Sequence, residues 1–237
     1  MALTKEEAFV QQEALAFAKA NRRGIARRLT DPQIYLAEEH PVSVFMAGSP
    51  GAGKTEASIE LIAKLGTPVI RIDPDDLRHE CPGYTGENAY LLQPAVSVLV
   101  EKIHDMALEQ RQSFLLDGTL SNYERARRNI ERSIGRKRTV QILYVYQEPQ
   151  LAWEFVQARE AAEGRRIPTE QFIDQYFSAR EVVNRLKAEL GKAIKVDLLL
   201  KNNDNSSRMY QAGVDRIDTH IPERYSRLDV ERMLKTG

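Results

Sequence analysis

The stretch Gly48-Ser49-Pro50-Gly51-Ala52-Gly53-Lys54-Thr55 decides how this chain folds. It is a complete G-x-x-x-x-G-K-[ST] run, standing between a strand-like run at 42–46 and a stretch of helical spacing over 54–65. That is the setting a phosphate-binding loop requires. Its glycines let successive backbone N–H groups point into one nest, and the helix that follows adds positive potential at its N-terminus. The pattern predicts that Lys54 bridges the β- and γ-phosphates of a bound nucleotide and that the Thr55 hydroxyl holds Mg²⁺.

Working outward, β-branched or apolar runs of strand length recur at 42–46, 69–72, 114–116, 140–146 and 194–200. Helical spacing fills 54–65, 88–110, 122–134 and 149–190, the last broken at 164–168. Nearly continuous Val, Ile and Leu runs separated by helices predict a mainly parallel sheet covered on both faces, here five-stranded, in an α/β three-layer sandwich. Residues 1–40 contain no such run. Thr4 and Glu7 make a capping-box pair, Val10, Ala14 and Phe17 line one helical face, and Ile25 and Leu29 predict a second short helix before Pro32. The expected organisation is a helical extension over 1–40 packed on a domain spanning 41–237.

Composition narrows the class. Of 237 residues 42% are apolar and 29% charged, and 34 Lys+Arg balance 34 Asp+Glu. The chain is long enough for a sizeable core and too apolar to be disordered. Net neutrality argues against a nucleic-acid coating role, because that affinity comes from neutralised phosphates. Without a membrane-length apolar run, and with acids near the start, the expected location is the cytoplasm. One cysteine, Cys81, excludes an internal disulfide and a Cys-rich zinc site.

Other candidates collect at the sheet edge that carries the loop. The second strand run ends in Ile72-Asp73-Pro74-Asp75-Asp76-Leu77-Arg78, and a carboxylate there can take the proton of a hydroxyl attacking the γ-phosphorus, while another of these acids caps the following turn. The third ends in Leu116-Asp117-Gly118-Thr119, where an acid orders Mg²⁺ or binds substrate. Arg159, Arg165 and Arg166 flank the helical break and suit a lid that brings cations over migrating charge, or are surface arginines paired to Glu160 and Glu163. The polar loop from Leu200 through Asn203 to Asn205 is a candidate adenine contact; its order is not the N-K-x-D that reads guanine. The basic segment 124–138, with Arg125 and Arg128 among its cations, reads chiefly as a solvated helix face, the alternative being contact with a diphosphate or an RNA backbone; Trp153 and Phe155 read as core, and His79 with Cys81 as incidental neighbours.

Taken together, the loop, the 72–78 segment, the 116–119 segment and Arg165-Arg166-Ile167-Pro168 resemble the zeta toxin family of P-loop kinases over residues 41–205. The resemblance implies a nucleotide-kinase-like fold and transfer from ATP, with Mg²⁺, to the 3′-hydroxyl of the amino sugar in UDP-N-acetylglucosamine or a relative, which drains a cell-wall precursor. It also implies a small helical, epsilon-like antitoxin as partner. Carried onto this chain, Lys54 and Thr55 become the ATP and Mg²⁺ residues, Asp75 the general base and Asp73 its support. Asp117 takes the place of the family's strand-tip acid, Thr119 touches the sugar, Arg78 and Arg166 belong to the substrate side, and Arg159 and Arg165 clamp phosphates.

Four departures accompany the match. Asp117 replaces a glutamate, Ser121 stands where an arginine is usual, Cys81 replaces the histidine before Pro82, and the stretch between Arg159 and Arg165 is short. All lie on the substrate side or the lid, and none touches the ATP loop. Two other readings stay open: a P-loop kinase of another acceptor, such as a polynucleotide 5′-end or an antibiotic hydroxyl, and a catalytically silent ATP-binding regulator.

Overall fold

The computed structural model describes residues 3–202, 207–222 and 224–236. At its centre lies a sheet of β1 (Val42–Ala47), β2 (Ile70–Ile72), β3 (Phe114–Leu116), β4 (Thr139–Tyr146), β5 (Lys195–Lys201) and β6 (Ser207–Gln211), in the spatial order β2-β3-β1-β4-β5-β6. The first five are parallel. The sixth pairs antiparallel with β5 and corrects the five-strand expectation. As an edge strand it needs an apolar run on neither face, so the polar sequence around Met209 and Tyr210 carries no strand signal of the kind the central strands show.

The strands alternate between two cores. Phe45 of β1 and Ile142 of β4 join the larger one, which includes side chains of α1 (Lys5–Leu29), α3 (Gln93–Glu109), α4 (Tyr123–Ile134), α5 (Pro149–Glu163) and α6 (Thr169–Leu190). Val44 and Met46, one position out of phase, face the opposite side with Leu143, Val145 and Ala57 of α2 (Lys54–Leu65). A last helix, α7 (Arg227–Thr236), packs against α5 and α6. The layers are those of a P-loop kinase.

Helix α1 is one continuous helix, not the two expected. Its capping box forms as read, with Thr4 and Glu7 exchanging hydrogen bonds. Gly24 interrupts nothing, and the helix runs through it to bury Ile25 and Ala26. Ala14 and Ala18 are buried small side chains that let α1 lie close along α3.

One buried arginine qualifies the solvated reading of 124–138, and a buried histidine packs nearby. Arg138 is buried at the sheet's lower edge, where it donates to Ser43 Oγ (2.7 Å) and to the carbonyls of Val42 and Gln112, with its guanidinium over the Phe114 ring. His104 of α3 is packed edge-on against Phe45 and Phe114 and takes a long contact from Arg132 at Nδ1 (3.4 Å). Burial, then Arg132, Arg138 and Arg136, push its pKa from an ordinary 6.5 down to about 3. The folded state therefore holds His104 neutral while the unfolded chain binds a proton below about 6.5. Stability should fall as pH drops from about 6.5 toward 3, by up to about 1.4 kcal/mol for each pH unit. Thermal denaturation across that range should show a shallower loss in His104→Gln than in the parent.

Candidate functional site

The carboxyl ends of β1, β2 and β3 meet over a cleft of about 880 Å³. After β1 the chain enters the glycine-rich loop. Gly48 (φ 135°) and Gly51 (φ 71°) have positive φ, and neither has room for a side chain: a Cβ would stand 2.3 Å from the Val145 carbonyl oxygen at Gly48 and 2.0 Å from that of Ala152 at Gly51. The loop is thus wedged between β4 and α5. Helix α2 opens at Gly53, and among the described residues no side chain caps it, which leaves its first N–H groups available to an anion. Gly51→Ala should therefore cut ATP affinity by more than about tenfold with circular dichroism unchanged, a result calorimetry can check.

Pro50, Gly51, Gly53, Lys54 and Thr55 line the cleft, while Gly48, Ser49 and Ala52 form its backing. Lys54 folds back so that Nζ donates to the carbonyls of Ser49 (2.6 Å) and Gly48 (3.2 Å). Burial brings its pKa down to about 8, against the pull of Asp117 and Asp75.

Asp75 opens the short 3₁₀ turn Asp76–Glu80 after β2 and faces the same cleft. Its carboxylate is the meeting point of three arginines: Arg78 and Arg165 are in direct ion pairs with it, and Arg159 lies 3.7 Å away. Burial alone would raise this carboxyl, but Arg165 and Arg78 overcome it and hold it below the ordinary carboxylate range. Arg165 comes from the break between α5 and α6 and Arg159 from the last turns of α5, so two arginines from separate segments meet at Asp75. Arg78 is buried, with a long contact to Gln93 Oε1 (3.4 Å). Arg166 is exposed and 3.9 Å from Glu160, the surface pairing weighed for it.

Asp73 and Asp117 are the strand-tip acids, both buried. Asp73 Oδ1 accepts the Asp75 N–H (2.8 Å), a bond made ahead of the 3₁₀ turn, whose own N-cap residue Asp75 makes no side-chain cap bond. Burial, with Asp117 and Asp75 nearby, raises its pKa to about 6, opposed by Arg71. The Asp117 carboxylate accepts from Arg71 Nη2 (3.0 Å) and lies 3.4 Å from Ser58 Oγ. Thr119 lines the cleft beside Ser121, its hydroxyl 2.9 Å from the serine's, and its carbonyl accepts the Gly48 N–H. Asn203 lies outside the described residues.

Several groups depart from the main expectation. Arg71, in the middle of β2, gave no sequence signal. Arg125 and Arg128 face the cleft, which favours the phosphate-contact alternative weighed for them over a wholly solvated face, whereas their neighbours Arg127 and Arg132 are paired to Glu131 and Asp105. Phe155 lines the cleft instead of joining the core, because only Trp153 turns inward against Phe172. Cys81 is buried, and burial raises its thiol pKa.

The cradle, the uncapped helix and Lys54 fit a nucleotide polyphosphate, and the hard oxygens of Thr55 and Asp117 suit Mg²⁺, which takes few protein ligands and completes its shell from phosphate and water. No group of three or more His, Cys, Asp or Glu among the described residues forms a closed metal cage, and no helix among them is long and apolar enough to cross a membrane.

The family model described as Zeta toxin matches residues 25–215. The chain belongs to the zeta toxin family. Most of α1 precedes the matched region. No curated protein matches the chain by sequence. Among solved structures, this zeta toxin family member shares its fold with a chain of the PezAT chromosomal toxin-antitoxin system of Streptococcus pneumoniae, at TM-score 0.66 and 16% identity over 96% of this chain and 95% of that one. It is similar to a chain of the AvrRxo1-ORF1:ORF2 structure with ATP, at TM-score 0.58 and 15% identity over 89% and 70%. A chain of the Pnkp1/Rnl/Hen1 RNA repair complex follows, at TM-score 0.52 and 15% identity over 63% and 47%. Family membership together with this fold supports a phosphotransferase.

Proposed function

We propose that this zeta toxin family member moves the γ-phosphate of ATP to a hydroxyl of a UDP-N-acetyl amino sugar, the 3′-hydroxyl of the sugar in UDP-N-acetylglucosamine, and so acts as a toxin against cell-wall precursor synthesis. The observation that carries the reading is the convergence of Arg78, Arg159 and Arg165 on Asp75 in the cleft that the glycine-rich loop also lines. In this reading the loop N–H groups and Lys54 hold the β- and γ-phosphates. Thr55 and Asp117 would hold Mg²⁺, which neutralises charge on the phosphates when bound.

The arginines now on Asp75 have a stronger anion to turn to once a triphosphate enters. As Arg159 and Arg165 swing to the γ-phosphate, Asp75 loses the cations that depress its basicity, and it becomes a better acceptor for the hydroxyl proton at the moment the hydroxyl attacks. The same swing brings positive charge over the migrating group. Thr119 and Asp73 then border the acceptor. The AvrRxo1 structure carries ATP, which supports the same nucleotide here. The toxin–antitoxin setting of the PezAT neighbour supports a small helical antitoxin as partner.

The RNA repair neighbour, with Arg125 and Arg128 on the cleft wall, favours a polynucleotide end as the second reading. One experiment separates them. Purified protein with ATP and Mg²⁺ is offered a panel of UDP-sugars and, in parallel, 5′-hydroxyl RNA and DNA, with ADP release followed and products identified by mass spectrometry. A phosphorylated UDP-N-acetyl sugar is expected. Turnover confined to RNA or DNA ends would replace the sugar with the polynucleotide, and ADP release with neither product would remove both acceptors.

A further inference from the structure

We propose that Arg71 is a positioning residue for phosphoryl transfer, whose single guanidinium fixes the strand-tip carboxylates of Asp73 and Asp117 relative to the first turn of α2. The inference rests on the phosphotransferase reading.

The placement follows from strand geometry. On β2, Ile70 and Ile72 point into the larger core, so Arg71 between them points to the α2 side. Its register partner on β3 is Leu115, a member of the core on that same side. Two residues further along each strand come Asp73 and Asp117, which the period of two returns to the face that Arg71 and Leu115 share. One long side chain lying along this face reaches both acids.

All three guanidinium nitrogens are used. Nη2 donates to Asp73 Oδ2 and to Asp117 Oδ2 (3.0 Å), Nη1 to Asp76 Oδ2 (2.7 Å), and Nε to Ser58 Oγ (3.0 Å). With Nε occupying a lone pair of that hydroxyl, its one proton goes to the nearer acceptor, the Thr55 carbonyl at 2.7 Å, rather than to Asp117 at 3.4 Å. A single cation therefore links β2, β3 and, through Ser58, the start of α2. Its side chain is 18% exposed, and those of Asp73 and Asp117 are 7% and 6%, so the network is largely withdrawn from water. Without the cation, two near-buried carboxylates would face each other with no hydrogen-bonded counter-charge, Lys54 acting on Asp117 only through space, and neither would hold a fixed orientation. Lysine cannot substitute fully, since one ammonium lacks the planar fork that spans several acceptors. The geometry is that of an outer partner that aims a ligand, a role whose loss costs about 10–100-fold in metal affinity or activity.

The test is a double-mutant cycle on Arg71→Gln and Asp117→Asn, with Arg71→Lys as the conservative variant. Circular dichroism checks folding, and calorimetry measures ATP binding with and without Mg²⁺. In Arg71→Gln, metal-free ATP affinity should stay within about threefold of the parent, while the gain in affinity that Mg²⁺ brings falls by about 10–100-fold. Arg71→Lys should recover part of that gain. In the Asp117→Asn background, Arg71→Gln should add less than about twofold, because it acts through a carboxylate already removed. Three results would each overturn the proposal: a full Mg²⁺ response in Arg71→Gln, an equal loss of metal-free ATP binding, or additive effects in the double variant. Should Arg71→Gln not fold, Arg71→Lys carries the same cycle with a smaller expected loss. These measurements need no acceptor, so failure to find one would remove the phosphotransferase reading without touching the Arg71 result, and a flat cycle would do the reverse.

Discussion

Replacing Asp75 with alanine should lower kcat by about 10³-fold, the usual range for a general base, while ATP affinity holds or rises. The second half of that expectation comes from the three arginines. In the nucleotide-free protein they are spent on the carboxylate; without it they are available to the γ-phosphate from the start. Arg78 is buried, so the variant also carries a charge with its partner removed, and its melting temperature should fall. ATP should then raise that temperature by more than it does in the parent, a shift that differential scanning fluorimetry can follow. Asp75→Asn separates the two effects by keeping the shape of the side chain. The parent's pH profile should show the same chemistry. A base must be ionised to work; Asp75 is held below the ordinary carboxylate range in the nucleotide-free protein, and ATP draws Arg159 and Arg165 away from it, so the acid limb of kcat should lie at higher pH than that of kcat/KM for ATP. Retained turnover in either variant would end the assignment of Asp75 as the proton acceptor.

The other large effect is expected at Lys54. Lys54→Ala should reduce kcat/KM by about 10³-fold and weaken ATP binding by at least about tenfold, because the same ammonium binds the ground state and neutralises charge in transfer. Its present partners are the carbonyls of Gly48 and Ser49, both on the loop itself. The space that the side chain vacates opens onto the cleft that Lys54 lines, where water can enter, so the fold should survive. Loss of catalysis with unaltered ATP affinity would mean that the loop's N–H groups alone hold the phosphates. Toxicity on induced expression offers a cellular check: it should vanish in Lys54→Ala.

How far the sequence could be read depended on whether a residue's meaning is local. The glycine-rich loop is legible because the backbone itself demands glycine at Gly48 and Gly51, where carbonyls of Val145 and Ala152 stand in the way of any side chain. Parallel strands are legible because burial on both faces forces unbroken apolar runs. Asp75 and Arg165 were each readable as members of a motif, and the fold brings them into contact across 90 positions of chain. Arg71 was not readable. A lone arginine in a short strand looks like any solvent-facing residue, and only the register of β2 against β3 reveals two acids beside it. The burial of Asp117 did call for a partner, but naming that partner requires knowing which strand is its neighbour. The continuity of α1 was hidden for the opposite reason: Gly24 looks like a break, yet it faces open space and costs the helix only about 1 kcal/mol.

That helix carries a consequence for how the molecule assembles. Helix α1 is synthesised before its partner α3, with all of β1, α2 and β2 between them in the chain. Until α3 has been made, Ala14, Ala18 and Ile25 have nothing to rest on, and contacts between distant parts of a chain are the slow ones to form. When α1 does dock, Glu7 meets Tyr90 on the cleft rim and Arg28 meets Glu80 at the far end of the turn that Asp75 opens. Docking of α1 thus becomes possible once Glu109 has been made, before β4 and α5 exist to brace the glycine-rich loop, so the wall beside Asp75 can be buttressed before the nascent chain is able to grip nucleotide.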